Sequence, residues 1–368
     1  MVRSTDVFVI GGGPAGLAAA IAAHNKGFGV TVADGAAPPI DKACGEGLLP
    51  DSVKALKQLG IELSAPEAFA FRGIRFLEGD LSVKAEFGCG KGLGVRRVAL
   101  HQKMIEQAQN LGIHLLWKTP VTGISPMGVT VAGKTIAARW IVGADGIRSR
   151  VRRWTACEPH TLGQPRYAFR RHYHVKPWSD YAEVHWGQSA QAYVTPVGGQ
   201  DVCVVIISRA PQARFDSLNA EFVDLAKRLS SGSPDDAERG AITLSQISKR
   251  IYDRNVALIG DASGSVDAIT GEGLSLSFHQ ALALADALEA GDLRRYQSAH
   301  RRLVRRARIT GRMLLFLDRQ PKLRKRVMRT FAKHPNLFAR FLAAHIGATS
   351  SGELAAAGAL LGWRLVTT

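Results

Sequence analysis

The stretch "DVFVIGGGPAGLAAAIAAHNKGFGVTVAD", residues 6–34, decides the fold. Residues 6–10 form a short apolar run of strand length, and the glycines after them make a turn. Pro14 suits a first helical turn, where the N–H it lacks has no intrahelical partner, and residues 17–23 are rich in helix formers. Gly27 closes that helix and residues 29–34 read as a second strand. Gly11, Gly13 and Gly16 therefore form a GxGxxG with a strand before it and a helix behind it, and Asp34 stands 23 positions beyond Gly11. Gly11 permits the tight turn, Gly13 lets backbone approach a pyrophosphate, and Gly16 lets helix and strand pack closely. The free N–H groups and dipole of the helix start would support phosphate charge, and Asp34 would accept hydrogen bonds from a ribose. The bland alternative is a tight turn that binds nothing.

Two later segments repeat the theme of an apolar strand ending in Gly and Asp. "IVGADGIRSRVRR", residues 141–153, carries Asp145. "VALIGDASGSVDAITGEGLSLS", residues 256–277, carries Gly260 and Asp261 and then opens a helix at Gly273. Sheet material thus appears at the start, near 139–143 and again at 256–259, so one domain is assembled from discontinuous segments. Between these, residues 52–59 read as a short helix, 71–77 and 81–87 as paired strands, 97–111 as a helix and 113–117 as a strand. Residues 121–146 supply short strands with a turn at Gly133 and Lys134. Alternation over about 166–208 predicts a sheet of a different kind, a substrate-side layer; 218–229 is helical and "SSGSPDD", 230–236, a loop. A nicotinamide dehydrogenase needs no late Gly-Asp strand end followed by a glycine-started helix, whereas a bound FAD does. Asp261 can accept from a ribityl hydroxyl, and N–H groups around Gly273 and Leu274 can face the pyrimidine end of the flavin and stabilise its reduced, anionic form.

"GGGPAG", "GADGIRSRVRR" and "GDASGSVDAITGEG" resemble, in family order over residues 5–290, the FAD-dependent oxidoreductases of the aromatic-hydroxylase (group A flavin monooxygenase) and geranylgeranyl-reductase superfamily. The expected fold is α/β: a Rossmann-type FAD-binding domain with an inserted mixed β-sheet substrate domain and a basic helical C-terminus. The expected boundaries are 1–70, 95–160 and 250–290 for the FAD-binding domain, 71–94 and 161–249 for the substrate-side sheet, and 291–368 for the basic region. The resemblance implies that Gly11, Gly13, Pro14, Ala15, Gly16 and Asp34 hold the ADP half of FAD, with Lys42 and Val121 also in the cofactor site. It places Arg97, or its neighbour Arg96, near the pyrophosphate and gives Asp145 a part in both FAD and NAD(P)H handling. Gly260, Asp261, Gly271, Gly273 and Leu274 would line the flavin.

Departures from the family pattern bear on the branch. Asp34 stands where the family usually has Glu, and Lys42 near a frequent Arg of the hydroxylases. "TGEG", residues 270–273, and "KACGEG", residues 42–47, look more like the reductase branch, and the WxWxIP of tryptophan halogenases is missing. With one GxGxxG in the chain, NAD(P)H would visit the flavin transiently or be replaced by a partner reductase. The preferred expectation is hydroxylation of a hydrophobic phenolic or polyketide-like compound with molecular oxygen, through a flavin C4a-hydroperoxide. Reduction of isoprenoid double bonds is the alternative, and a basic membrane or nucleic-acid adaptor with a vestigial nucleotide fold is the reading of another class.

Substrate-side candidates are fewer. His172 and His174 in "RRHYHV" would share one face of a strand and His185 lies in "EVHWG", as a polar pocket wall or as satisfied structural histidines. No third or fourth ligand stands at suggestive spacing, so no metal is expected. Tyr193 and Pro196 in "AYVTPVG" resemble a substrate-side wall of the reductase branch or serve sheet packing. Cys44 is a ring-side pocket residue or a small buried hydrophobe.

Composition bounds the rest. A chain of 368 residues with 46% hydrophobic content buries a large core, and Cys44, Cys89, Cys157 and Cys203 contain no CxxC, which argues against a disulfide framework or zinc cluster. A reducing compartment fits. The start leads almost at once into a strand and no apolar run reaches bilayer length, so the cytoplasm is the expected location. Of the net charge of +17, residues 294–340 hold +15. There Arg301, Arg305, Arg308 and Arg312 recur at helical spacing, with Leu303, Ala307, Thr310, Leu314 and Leu317 on another face. Such a basic amphipathic helix is a solvated face or, with Phe316, Leu317, Phe338 and Leu342 beside it, an element for an anionic membrane surface. No nucleic-acid-binding module accompanies the charge.

Overall fold

The computed structural model describes residues 4–211, 213–215, 218–349 and 351–367. Strand Ser4–Ile10 runs into the glycine turn, helix α1 (Pro14–His24) follows, and Val30–Ala33 returns parallel to the first strand, with Val7 opposite Val30 and Ile10 opposite Ala33. α1 is apolar on every side because it is buried on every side from Gly16 to Ala23, between the sheet and a later helix. The parallel core of this sheet runs in the order Val256–Leu258, Lys134–Gly143, Ser4–Ile10, Val30–Ala33, His114–Leu116. An antiparallel hairpin, Val121–Ser125 and Gly128–Val131, extends from Lys134–Gly143. Three strand ends far apart in sequence, at Gly11, Ala144 and Gly260, thus meet on one edge.

Helix α2 (Pro50–Gln58) packs against the later helix Gly273–Glu289, α3 (Arg97–Asn110) packs against α1, and α4 (Arg150–Trp154) follows Asp145. A second, mixed sheet is built mainly from His160–His174, Tyr181–Trp186, Ala190–Pro196, Asp201–Ser208 and Arg239–Ile247, with Gly73–Glu78 and Leu81–Glu86 at one edge. Two short helices, α5 (Leu218–Glu221) and α6 (Val223–Leu229), interrupt its order in sequence. A small third sheet joins Gly47–Leu48, Gly92–Val95 and Ala68–Phe71.

The strand expected over 71–77 is two strands in two sheets. The chain changes sheet at Arg72, whose N–H bonds the Asp180 carbonyl at 2.9 Å, and a Cβ on Gly73 would stand 2.0 Å from the Ala85 carbonyl oxygen, an approach that glycine allows. The loop expected over 230–236 contains a two-residue strand, Ser233–Pro234, paired with Tyr173 and His174.

After α7 (Gly273–Glu289), the basic region forms α8 (Leu293–Arg319), α9 (Pro321–Lys333) and α10 (Pro335–His345), each of the last two opened by its proline, and then α11 (Ser351–Thr367). α9 and α10 cover strand Leu81–Glu86, where Val83, Val327, Met328, Phe331, Phe338 and Leu342 form a buried cluster. Phe338 and Leu342, expected beside an interfacial surface, are therefore core, while Phe316 is exposed. The basic face is also not wholly solvated: Arg324 turns inward to Glu78 at 2.7 Å and Arg306 to Asp51 and Glu272 at 3.3 Å each.

Candidate active site

A cavity of about 500 Å³ begins at Gly13, Pro14 and Ala15, passes the 42–47 loop, Arg97, Asp261, Gly271, Gly273 and Leu274, and ends among side chains of the second sheet and the C-terminal helices. Its inner part has the features an FAD requires. A Cβ on Gly16 would stand 1.8 Å from the Gly11 carbonyl oxygen, so this glycine lets α1 lie against the strand end. A Cβ on Gly13 or Gly273 would meet nothing within 4 Å, which leaves open space at the starts of α1 and α7. Asp261 opens onto this cleft; burial raises its carboxyl above the ordinary range, against the pull of Lys42, Arg97 and Arg152. The Arg97 Nε is buried without a hydrogen-bond partner. Unpaired donors and an open carboxylate around a glycine-lined cradle fit the phosphates and polyol of FAD. When bound, that group supplies hydride transfer or oxygen activation.

The turn is braced by side chains. Asp34, expected at the ribose, accepts the N–H groups of Gly12 and Ala36, both at 2.7 Å, which braces the turn, and it does not line the cavity. His101 of α3, which sequence reasoning missed, is buried with Nε2 2.8 Å from the Gly12 carbonyl, while its Nδ1 accepts the Ile40 N–H at 3.2 Å. Burial lowers its pKa and so favours the neutral ring, and the Gly12 carbonyl opposes this by raising it. Gly260 donates its N–H to Gln280 at 2.8 Å, and a Cβ there would be 2.7 Å from that of Ala15, so it lets the third strand end touch α1.

Other expected residues are placed differently. The Asp145 carboxylate accepts the Ser149 hydroxyl at 2.5 Å and the N–H of Arg150 at 2.6 Å; it caps α4 and does not line the cavity. Val121 is buried in the core behind the first sheet, its carbonyl accepting from Arg150 Nη1 at 3.4 Å. Arg97 lines the cavity, whereas Arg96 turns away to Asp235 at 2.8 Å. Tyr193 and Cys44 are in the wall. The Tyr193 hydroxyl donates to the Ile269 carbonyl at 3.0 Å, and burial raises its pKa, so the phenol stays protonated. The three histidines are not in the wall. His174 reaches solvent at its strand end and meets Asp201 at 2.9 Å, and His185 pairs with Glu183 at 3.2 Å beside Phe222.

His172 lies one layer behind the wall, in a network whose inner member is Glu46. This residue, within the quoted "KACGEG" but not singled out, has φ +57°, a conformation that costs a non-glycine residue about 1–2 kcal/mol. It is held there from several sides: Oε1 accepts the Arg97 N–H at 2.9 Å and Arg170 at 3.2 Å, and Oε2 meets His172 Nε2 at 2.7 Å. His172 Nδ1 lies 2.8 Å from Asp236, which reaches partial exposure. Burial pulls the His172 pKa down, but Glu46 and Asp236 outweigh it and leave it raised. A hydrogen-bonded path therefore runs from near the surface to the cavity wall. Glu46, His172 and Cys203 also bring donor atoms within 4.8 Å of one another, but Arg170 shares that carboxylate and burial holds the Cys203 thiol protonated.

Fold and site define a flavoprotein with an FAD cradle opening into an apolar chamber. The chain belongs to the family described as FAD binding domain, whose model matches residues 4–294, and so to the FAD-dependent oxidoreductases. It is similar to a menaquinone reductase of Mycobacterium tuberculosis, 27% identical over 79% of this chain and 78% of that one. Ubiquinone hydroxylase UbiL of Rhodospirillum rubrum is 25% identical over 78% and 73%, and digeranylgeranylglycerophospholipid reductase 1 of Methanothermobacter thermautotrophicus 27% over 74% of each. In fold it matches a flavoprotein/dehydrogenase of Cytophaga hutchinsonii with a TM-score of 0.81 at 20% identity, covering 94% of this chain and 93% of that one.

Proposed function

We propose that this flavoenzyme reduces a carbon–carbon double bond in the isoprenoid chain of a lipid. The observation that carries the reading is the continuity of the cavity. The glycine-lined cradle opens without interruption into a chamber faced by Phe71, Phe76, Trp186, Phe331, Phe338 and Leu342. Such a lining excludes water and offers few polar contacts, which suits a hydrocarbon chain better than a hydroxylated ring. Two of the relatives described above are named menaquinone reductase and digeranylgeranylglycerophospholipid reductase 1. Hydride would come from FAD reduced by a donor of the NAD(P)H class. A proton taken up in the chamber would be replaced through Glu46, His172 and Asp236. Hydroxylation of a quinone-like or phenolic ring is the second reading, favoured by the similarity to UbiL.

The two readings part in one assay. Pre-reduced protein is incubated anaerobically with menaquinone and the product is analysed by mass spectrometry. Gain of two hydrogens in the side chain is the expected result; a lipid that stays unchanged without air and gains one oxygen once air is admitted would favour hydroxylation instead.

We further propose that α8 approaches an anionic membrane surface. Ile309, Met313 and Phe316 are exposed at helical spacing beside Arg305 and Arg312, and Met313 also borders the cavity. No helix among the described residues is long and apolar enough to cross a membrane. Sedimentation with anionic liposomes should fall with salt, and equal sedimentation with neutral ones would remove the electrostatic part.

A further inference from the structure

The first half of α8 borders a second cavity, of about 240 Å³, closed on its other sides by residues 246–248 and 263–266. Arg301, Arg305 and Arg308, spaced to lie on one stripe of the helix, face it, and none of its lining residues is Asp or Glu. Four inward-turned arginines elsewhere have carboxylates close by, Arg166 at 2.8 Å, Arg170 at 3.0 Å, Arg306 at 3.3 Å and Arg324 at 2.7 Å, and the buried Arg152 is held by the Ile147 carbonyl at 2.7 Å and the Asp261 carbonyl at 3.3 Å. Among the described residues, Arg305 and Arg308 have no carboxylate within salt-bridge distance, and Arg301 reaches only the Lys249 carbonyl, at 3.4 Å. Arg308 is half-buried, and burial followed by the charge of Arg312 lowers its proton affinity.

No other group in the cavity supplies a counter-charge. His300 is buried and neutral, pushed down to about 4 by burial and Arg301, and its Nε2 lies 2.9 Å from the Ser263 hydroxyl. The Ser248 hydroxyl borders the same cavity, and its buried oxygen has no hydrogen-bond partner. Arg308 is partly withdrawn from water, the exposed Arg301 and Arg305 place like charge at the mouth of the same recess until an anion joins them, and the orphaned hydroxyl is a ready donor.

We propose that this cavity binds the phosphate or diphosphate group of an organic anion. Its volume lies below the ~300–1,000 Å³ of sites that enclose a whole small molecule, so it takes a head group and leaves the rest of the ligand outside. Ser265 and Val266 are walls of both cavities. Met313, which borders the large one, lies about 7 Å further along the helix axis than Arg308. A ligand with its head at Arg305 and Arg308 thus has a direct course along α8 into the apolar chamber. The site rests on these residues and not on the reductase reading, so either can fail alone.

The test is calorimetric titration of the FAD-loaded, full-length protein with inorganic pyrophosphate. Three proteins are compared: wild type, R305A/R308A, and the control R295A/R302A, which removes the same charge from exposed positions of α8 outside the cavity. Wild type and control should bind saturably with affinities within about twofold of each other, while R305A/R308A should lose about tenfold or more. Pyrophosphate should also raise the Tm of the first two and not of the third, a readout that shows each variant is folded. Farnesyl diphosphate binding about tenfold tighter than pyrophosphate would identify a lipid source. Equal binding of the two, with competition by NADPH but not NADH, would identify the dinucleotide phosphate. Absence of saturable pyrophosphate binding in wild type, or equal loss in both double variants, would overturn the proposal.

Discussion

Arg170 and Arg308 are both drawn away from bulk water, and they keep opposite company. Arg170, 1% exposed, holds Asp41 at 3.1 Å, Glu46 at 3.2 Å and Asp236 at 3.0 Å; Arg308 lines a cavity that contains no carboxylate. The first arrangement is complete within the chain and belongs to its structure. The second is completed only by something from outside. Where the counter-charge comes from, inside the fold or beyond it, is what separates these two arginines.

The strongest way to break that comparison is to remove the paired cation. Arg170→Met leaves Asp41, Glu46 and Asp236 facing one another, and it should lower stability by about 3–5 kcal/mol in chemical denaturation. It also releases the strained Glu46, so FAD affinity, followed by flavin fluorescence, should fall with it. An unchanged midpoint would mean that the network contributes nothing to holding the 42–47 loop.

The same divide appears in two histidines, with opposite signs. His172 stands between carboxylates and its pKa is raised, so the stability it contributes is complete below its unfolded value, near 6.5, and is lost as pH rises through the folded one. His300 has no carboxylate and is pushed down to about 4. Between about pH 6.5 and that value the unfolded chain takes up a proton that the folded His300 refuses. Stability should fall by about 3 kcal/mol over this window. His300→Asn should flatten the acid side of the stability profile and His172→Asn the alkaline side; a single shape for all three proteins would refute the assignment.

The glycines of the cradle were legible because backbone geometry wrote them into residue type, whereas Asp145 and Val121, expected in the same site, lie outside the cavity wall. Gly11, Gly16 and Gly260 are required where a Cβ would strike a neighbouring chain segment, and a glycine requirement is visible in sequence. The discontinuous first sheet followed from three apolar runs, each ending at such a glycine or beside it. The substrate half was not legible. Glu46 meets His172 across 126 positions and Arg170 across 124, and nothing local to either signals the partner. Alternation correctly put His172 on a strand but could not say that its face looks onto a polar network instead of the cavity. The basic segment misled for a similar reason. Helical spacing shows which arginines share a stripe, but not that Arg306 and Arg324 find carboxylates while Arg305 and Arg308 do not.

Tyr193 sharpens the picture at the cavity wall. Its hydroxyl satisfies the Ile269 carbonyl just before the turn at Gly271, so Tyr193→Phe should cost about 1 kcal/mol and leave that carbonyl unpaired. If the contact holds the turn against the flavin, the visible spectrum of the bound flavin should shift slightly with the loss of stability. An unshifted spectrum would limit the residue to sheet packing.

The smallest effect is expected where the comparison began. Arg308→Met removes a half-buried cation that has no partner, and its methylene stem is largely replaced by that of methionine. Without ligand, stability should be unchanged or rise by up to about 1 kcal/mol, because the variant relieves repulsion from Arg312 and desolvation together. The stabilisation by pyrophosphate should shrink in the same protein. A loss comparable to that of Arg170→Met would show that Arg308 is already compensated within the fold, and the divide between the two arginines would disappear.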